Sequence, residues 1–72
     1  MERIEKTFGA QVRRIRIGKN ISQEELGFRS GLSKNYISDV ERGARNVSLQ
    51  TIEKIARGLE IPIKELFEFI IG

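Results

Sequence analysis

From Ile4 onward, apolar residues recur at intervals of three or four, as Ile4, Phe8, Val12 and Ile15, the spacing of one helix face. This predicts a first amphipathic helix ending near Gly18 to Asn20. Ser22 stands where an N-cap is needed, and Glu25, three residues later, completes a capping box. A second, short helix is therefore predicted from there through Leu26 to about Arg29. Ser30, Gly31 and Leu32 break it, because Gly31 can take the left-handed conformation that closes a helix and Ser33 can cap the next one. The third helix is predicted from about Lys34 to Arg42, with Ile37 and Val40 pointing inward, a polar outer face, and Gly43 as its stop. After the polar loop Ala44, Arg45, Asn46 and Val47, Ser48 caps a fourth helix in which Leu49, Ile52, Ile55, Ala56 and Leu59 keep helical spacing. Gly58 is the weak point near its end. Pro62 suits the first turn of a fifth helix carrying Ile63, Leu66, Phe67 and Ile70. No stretch alternates as a strand would, and no repeat or linker interrupts the pattern, so the fold class is all-α with five helices.

Length and composition narrow what such a fold can do. Seventy-two residues make one domain, 1–72, with a single small core. Without Cys, neither a disulfide nor a thiolate metal site can staple it, and helix packing or dimerisation must supply the stability. The absence of both His and Cys removes the imidazole base, the thiol nucleophile and the ordinary zinc site. Glu24 and Glu25 are adjacent, so on a helix they diverge by about 100° rather than form a catalytic pair. No phosphate-cradling glycine loop is present. An enzyme, a cofactor and a small-molecule effector are therefore not expected. Met1 to Gly9 lacks the apolar core of a signal peptide, and no apolar run reaches the roughly 20 residues of a membrane span. A cytoplasmic protein without membrane contact is expected.

The net charge of +3 is modest, but it is unevenly spread. Residues 1–59 carry twelve Lys or Arg against seven acids, whereas residues 60–72 carry Lys64 against Glu60, Glu65 and Glu68. Such a distribution would draw a polyanion to the first segment and turn the tail away from it; ordinary solubilising charge gives the same counts.

The stretch from Ile21 to Gly43 reads as cap, short helix, glycine turn, cap, second short helix and stop, which is the order of a helix-turn-helix over about residues 22–42. Leu26, Leu32, Ile37 and Val40 can hold its two helices together, leaving Lys34, Asn35, Tyr36, Ser38 and Asp39 outside on the second, the candidate recognition helix. Lys34 and Asn35 occupy its leading end; a lysine suits guanine acceptors and an asparagine suits adenine, although both could simply face solvent. Ser38 and Asp39 lie one turn on. Asp39 could accept from cytosine, or repel phosphate and so sharpen selectivity. Gln23 could hold a phosphate oxygen or serve as a second capping residue at the start of helix two. Tyr36 could fill the core or reach the sugar-phosphate edge. Arg42, Arg45 and Asn46 flank Gly43 in what could be a solvated basic loop, although two arginines and an amide around a glycine turn favour phosphate.

The segment "ISQEELGFRSGLSKNYISDVERG", continued by "RNVSLQTIEKIARGLEIPIKELF", resembles the DNA-binding domain of the lambdoid phage repressor and Cro family, also called the XRE family. Within it, the "YISDVERGARNVSL" region is similar to the controller proteins of restriction-modification systems. The resemblance implies a five-helix, lambda-repressor-like domain regulating transcription as a homodimer on a palindromic operator. Double-stranded DNA and a second copy are the partners, with RNA polymerase a further candidate. It implies base contact by Lys34, Asn35, Ser38 and Asp39, and backbone contact by Gln23, Ser33, Tyr36, Arg42, Arg45 and Asn46. It further implies a structural ion pair between Arg16 and Glu41. Gly27 departs from the family, which usually has alanine there, and should loosen helix two by about 1 kcal/mol.

The tail has more apolar surface than so small a core absorbs. Ile61, Ile63, Leu66, Phe67, Phe69 and Ile70 are expected in a dimer interface spanning about residues 59–71; fraying of the last residues is the other reading. An antitoxin or a phage-type repressor, whose tail binds another protein, is the competing function.

Overall fold

A computed structural model of the chain describes residues 3–70, the side chain of Ile70 excepted. Four α-helices, Ile4–Gly18 (α1), Gln23–Ser30 (α2), Lys34–Glu41 (α3) and Leu49–Leu59 (α4), precede a 3-10 helix, Ile63–Ile70. The helix starts follow from serine chemistry. The hydroxyls of Ser22, Ser33 and Ser48 accept from the backbone N–H groups of Glu25, Tyr36 and Thr51 at 3.0, 3.0 and 3.1 Å, each cap contributing about 1 kcal/mol. The reciprocal half of the expected capping box is missing among the described residues. Glu25 instead accepts from Arg29 Nε at 2.8 Å, one turn along the exposed face, and this hydrogen bond raises the Arg29 pKa above its ordinary value.

The core is formed by Phe8, Val12, Ile21, Leu26, Ile37, Val40, Ile55, Ala56, Leu59 and Leu66. Helix α2 packs against both α3 and α4, while α1 packs against α3 and the 3-10 helix. A polar tie fixes the last contact: buried Gln11 on α1 donates to the carbonyl of Glu65 at 2.9 Å and accepts from Arg14 at 2.6 Å. The rings of Phe8 and Phe67 meet beside it with centroids 5.4 Å apart.

Three expectations change. Leu49 keeps helical spacing yet is 81% exposed. It shares its face with Ala56 but stands two turns earlier, past the edge of the core. Gly58 is also a point of close approach; α2 passes so near that a Cβ there would overlap the Ser30 hydroxyl and reach Leu26 Cδ1 at 3.1 Å. Gly27 likewise does more than loosen its helix, since a Cβ would lie 2.9 Å from the Leu32 carbonyl oxygen in the turn. Glycine lets the turn close against α2, and the Leu32 N–H donates to the Gly27 carbonyl at 2.8 Å.

Candidate nucleic-acid interface

Helix α3 has one buried and one open edge. Ile37 and Val40 are sealed in the core, Lys34 and Asn35 are exposed, and Ser38 and Asp39 are half-buried on the outer side. Because two apolar side chains fix its rotation, the polar set cannot turn inward without exposing Ile37 and Val40. Each such burial is worth about 1.5 to 3 kcal/mol.

The position of α3 is also set from behind. Arg16 on α1 grips Glu41 with two hydrogen bonds, Nε to Oε2 at 2.6 Å and Nη2 to Oε1 at 3.0 Å, and its Nη1 donates to the Ile21 carbonyl at 2.8 Å. The two side chains are 10% and 3% exposed, so the ion pair implied by the family pattern is present and buried. Gln23 joins it: its Nε2 donates to Glu41 Oε1 at 3.0 Å, linking the first residue of α2 to the last of α3. Gln23 therefore braces the motif through the Glu41 carboxylate.

Gly9, which carries no sequence signal of its own, completes this support. A Cβ there would overlap the Val40 carbonyl oxygen and lie 2.8 Å from that of Glu41, so only glycine lets α1 lie directly on the end of α3.

Beyond α3 the chain turns at Gly43, φ 78°, and a Cβ there would meet Lys6 at Cγ 2.6 Å and Cα 2.8 Å. Exposed Lys6 from α1 thus lies against the turn that exposed Arg42, Arg45 and Asn46 flank, and sequence reasoning did not single it out because only folding brings it there. The Arg45 guanidinium stacks over the half-buried Tyr36 ring, 5.0 Å from its centroid. The Ser33 hydroxyl is taken up by its cap.

Asp39 has partners within the protein. One carboxylate oxygen accepts from Arg42 and the other from Arg45 Nε and Nη2, both at 3.3 Å. The acid sits in the last turn of α3, where the helix dipole disfavours negative charge, and the two following arginines offset it.

The expected interface residues separate. Leu66 is 0% exposed and belongs to the protomer's own core, so it lies behind the surface rather than on it. Ile61, Phe67 and Phe69 pack half-buried against that core, and Ile63 is 46% exposed. The side chain of Ile70 and the whole of Ile71 lie outside the described residues. Leu49 and Ile52 join Ile63 and Phe67 in one shallow apolar groove between α4 and the 3-10 helix. Leu49 was missed because its spacing matches the core face.

Two short helices on a tight turn, the second offering polar side chains beside a basic loop, define a helix-turn-helix DNA-binding regulator. The chain belongs to the XRE-type helix-turn-helix family, whose model, described as Helix-turn-helix, matches residues 12–66. It is similar to the control protein C.BamHI of Bacillus amyloliquefaciens, 54% identical over 63 residues that cover 86% of this chain and 78% of the relative. It is also similar to the control protein C.MunI of Mycoplasma sp, 41% identical over 71 residues, 97% and 96% of the two chains. Among solved structures, the restriction-modification controller protein C.AhdI from Aeromonas hydrophila superposes with a TM-score of 0.86 at 49% identity, covering 88% of this chain and 91% of that one.

Proposed function

We propose that this protein is a controller-type transcription regulator that binds a palindromic operator as a homodimer. The observation that carries this reading is the fixed rotation of α3, with Lys34, Asn35 and Ser38 outward and Ile37 and Val40 sealed behind. In the major groove, Lys34 offers donors to guanine and Asn35 offers the bidentate pattern that suits adenine. Arg42, Arg45 and Asn46, with Lys6 beside them, take the flanking phosphates, and Tyr36 meets the sugar-phosphate edge. Gln23 and the cap at Ser33 present the helix starts to the backbone.

A second copy docks through the groove of Leu49, Ile52, Ile63 and Phe67, extended by Ile61 and Phe69. Two-fold pairing sets the recognition helices about 34 Å apart, one turn of DNA. Dimers then occupy one operator to activate and a neighbouring one to repress, with RNA polymerase as the downstream partner. The chain works in the cytoplasm, where its DNA is.

The test is binding to DNA upstream of its own gene at several salt concentrations. Six cations from a dimer, Lys6, Arg42 and Arg45 on each side, give a log–log salt slope of about −5. Replacing Arg45 should flatten the slope, whereas replacing Asn35 should blur sequence preference. Binding that ignores both salt and sequence overturns the proposal.

A further inference from the structure

Both carboxylate oxygens of Asp39 are held by arginines that the proposed function assigns to DNA phosphates. Arg42 lies on Oδ1, and Arg45 reaches Oδ2 through two nitrogens at 3.3 Å. Arg45 is held a second time, over the face of Tyr36, itself on α3. The loop's cations are therefore latched to the base-reading helix in the free protein.

We infer that Asp39 is a positioning residue that acts through Arg42 and Arg45: it competes with DNA phosphate for them and so lowers the sequence-independent part of the affinity. The inference rests on the proposed DNA-binding function and deepens it. The reasoning is one of exchange. A carboxylate oxygen and a phosphate oxygen are both anionic acceptors for a guanidinium, so Asp39, with one oxygen on each arginine, takes donors that a phosphate would take. A phosphate that takes the Arg42 Nη2 and the Arg45 Nε and Nη2 donors takes them from Asp39. The cost is the same for every sequence, so it lowers the affinity for every duplex by one factor and leaves the preference set by Lys34, Asn35 and Ser38 as it was. Without the latch the arginines engage every duplex, and the sequence-independent part of the affinity rises.

Exposure keeps the magnitude moderate. The Asp39, Arg42 and Arg45 side chains are 27%, 67% and 50% exposed, and an ion pair of that kind holds its partners by a factor of about one and a half to five. Two pairs released together predict a rise in affinity for any duplex of about two- to twenty-five-fold for each bound protomer in Asp39→Asn. The loss of negative charge on its own also raises affinity, so a second background is needed.

The experiment measures binding of the full chain to its operator and to a scrambled duplex of equal length, for wild type, D39N, R42A/R45A and D39N/R42A/R45A, across a salt series. D39N should strengthen binding to both duplexes by the same factor, steepen the salt slope of each, and leave the ratio of operator to scrambled affinity unchanged. In the R42A/R45A background D39N should have little further effect, because the latch has nothing to hold. An equal D39N effect in both backgrounds would overturn the inference in favour of simple charge removal. Weaker operator binding with scrambled binding unchanged would overturn it in favour of direct base contact by Asp39. If wild type bound neither duplex, the regulator reading itself would fall, and this inference with it.

Discussion

Replacing Arg16 by methionine is the sharpest test of how this motif is held. Arg16 is almost wholly buried and supplies three hydrogen bonds, two to Glu41 at 2.6 and 3.0 Å and one to the Ile21 carbonyl at 2.8 Å. Methionine fills much of the same space but leaves the Glu41 carboxylate, 3% exposed, with only the Gln23 amide. Breaking a buried pair by removing one partner costs about 3 to 5 kcal/mol, because the remaining charge is left uncompensated. A domain of this length has a total stability of about 4 to 11 kcal/mol, so Arg16→Met should remove a large part of it. At about 4 to 8 °C per kcal/mol, Tm should fall by roughly 12 °C or more, read by circular dichroism at fixed protein concentration. Removing both charges tells a different story: Arg16→Met with Glu41→Leu leaves no orphaned ion and should recover most of the loss. A double variant as unstable as the single one, or a single variant costing under about 1 kcal/mol, would refute the reasoning.

Three further outcomes follow from the packing. Gly9→Ala should lower stability by about 1 to 3 kcal/mol, since the overlap with the Val40 and Glu41 carbonyls outweighs alanine's helix preference; a rise in Tm would contradict it. Leu49→Asp, at an 81% exposed position, should leave the protomer folded while weakening self-association roughly thirtyfold in sedimentation, and unchanged association would remove Leu49 from the interface. Ser48→Ala should cost about 1 kcal/mol in urea unfolding by orphaning the Thr51 N–H, and no measurable loss would deny the cap its role.

Local rules explain why so much was legible beforehand. Ser22, Ser33 and Ser48 each start a helix at the expected place because an N-cap needs only residues within one turn. Gly31 ends α2 in the left-handed conformation for the same reason. The inward faces of α1 and α3 were readable from spacing. The ends of the pattern were not: Ile4 and Leu49 have core spacing but project past the core and are exposed. Winding of the last helix also escaped the pattern, since Pro62 marks a start for an α-helix and for the 3-10 helix found over Ile63–Ile70.

Sequence by itself determined the helices, their caps and the polar set on α3, because periodicity and capping are properties of neighbours along the chain. Only the tertiary structure decided which partners those side chains have. Gly9 became the point where α1 rests on α3, Lys6 came to stand beside Gly43, Leu66 turned into the protomer's core, and Asp39 closed on Arg42 and Arg45. Except for the Asp39 contacts, each joins residues far apart along the chain, and it depends on how closely two helices approach. Spacing carries no record of that distance, which is set by the volume of every side chain packed between them.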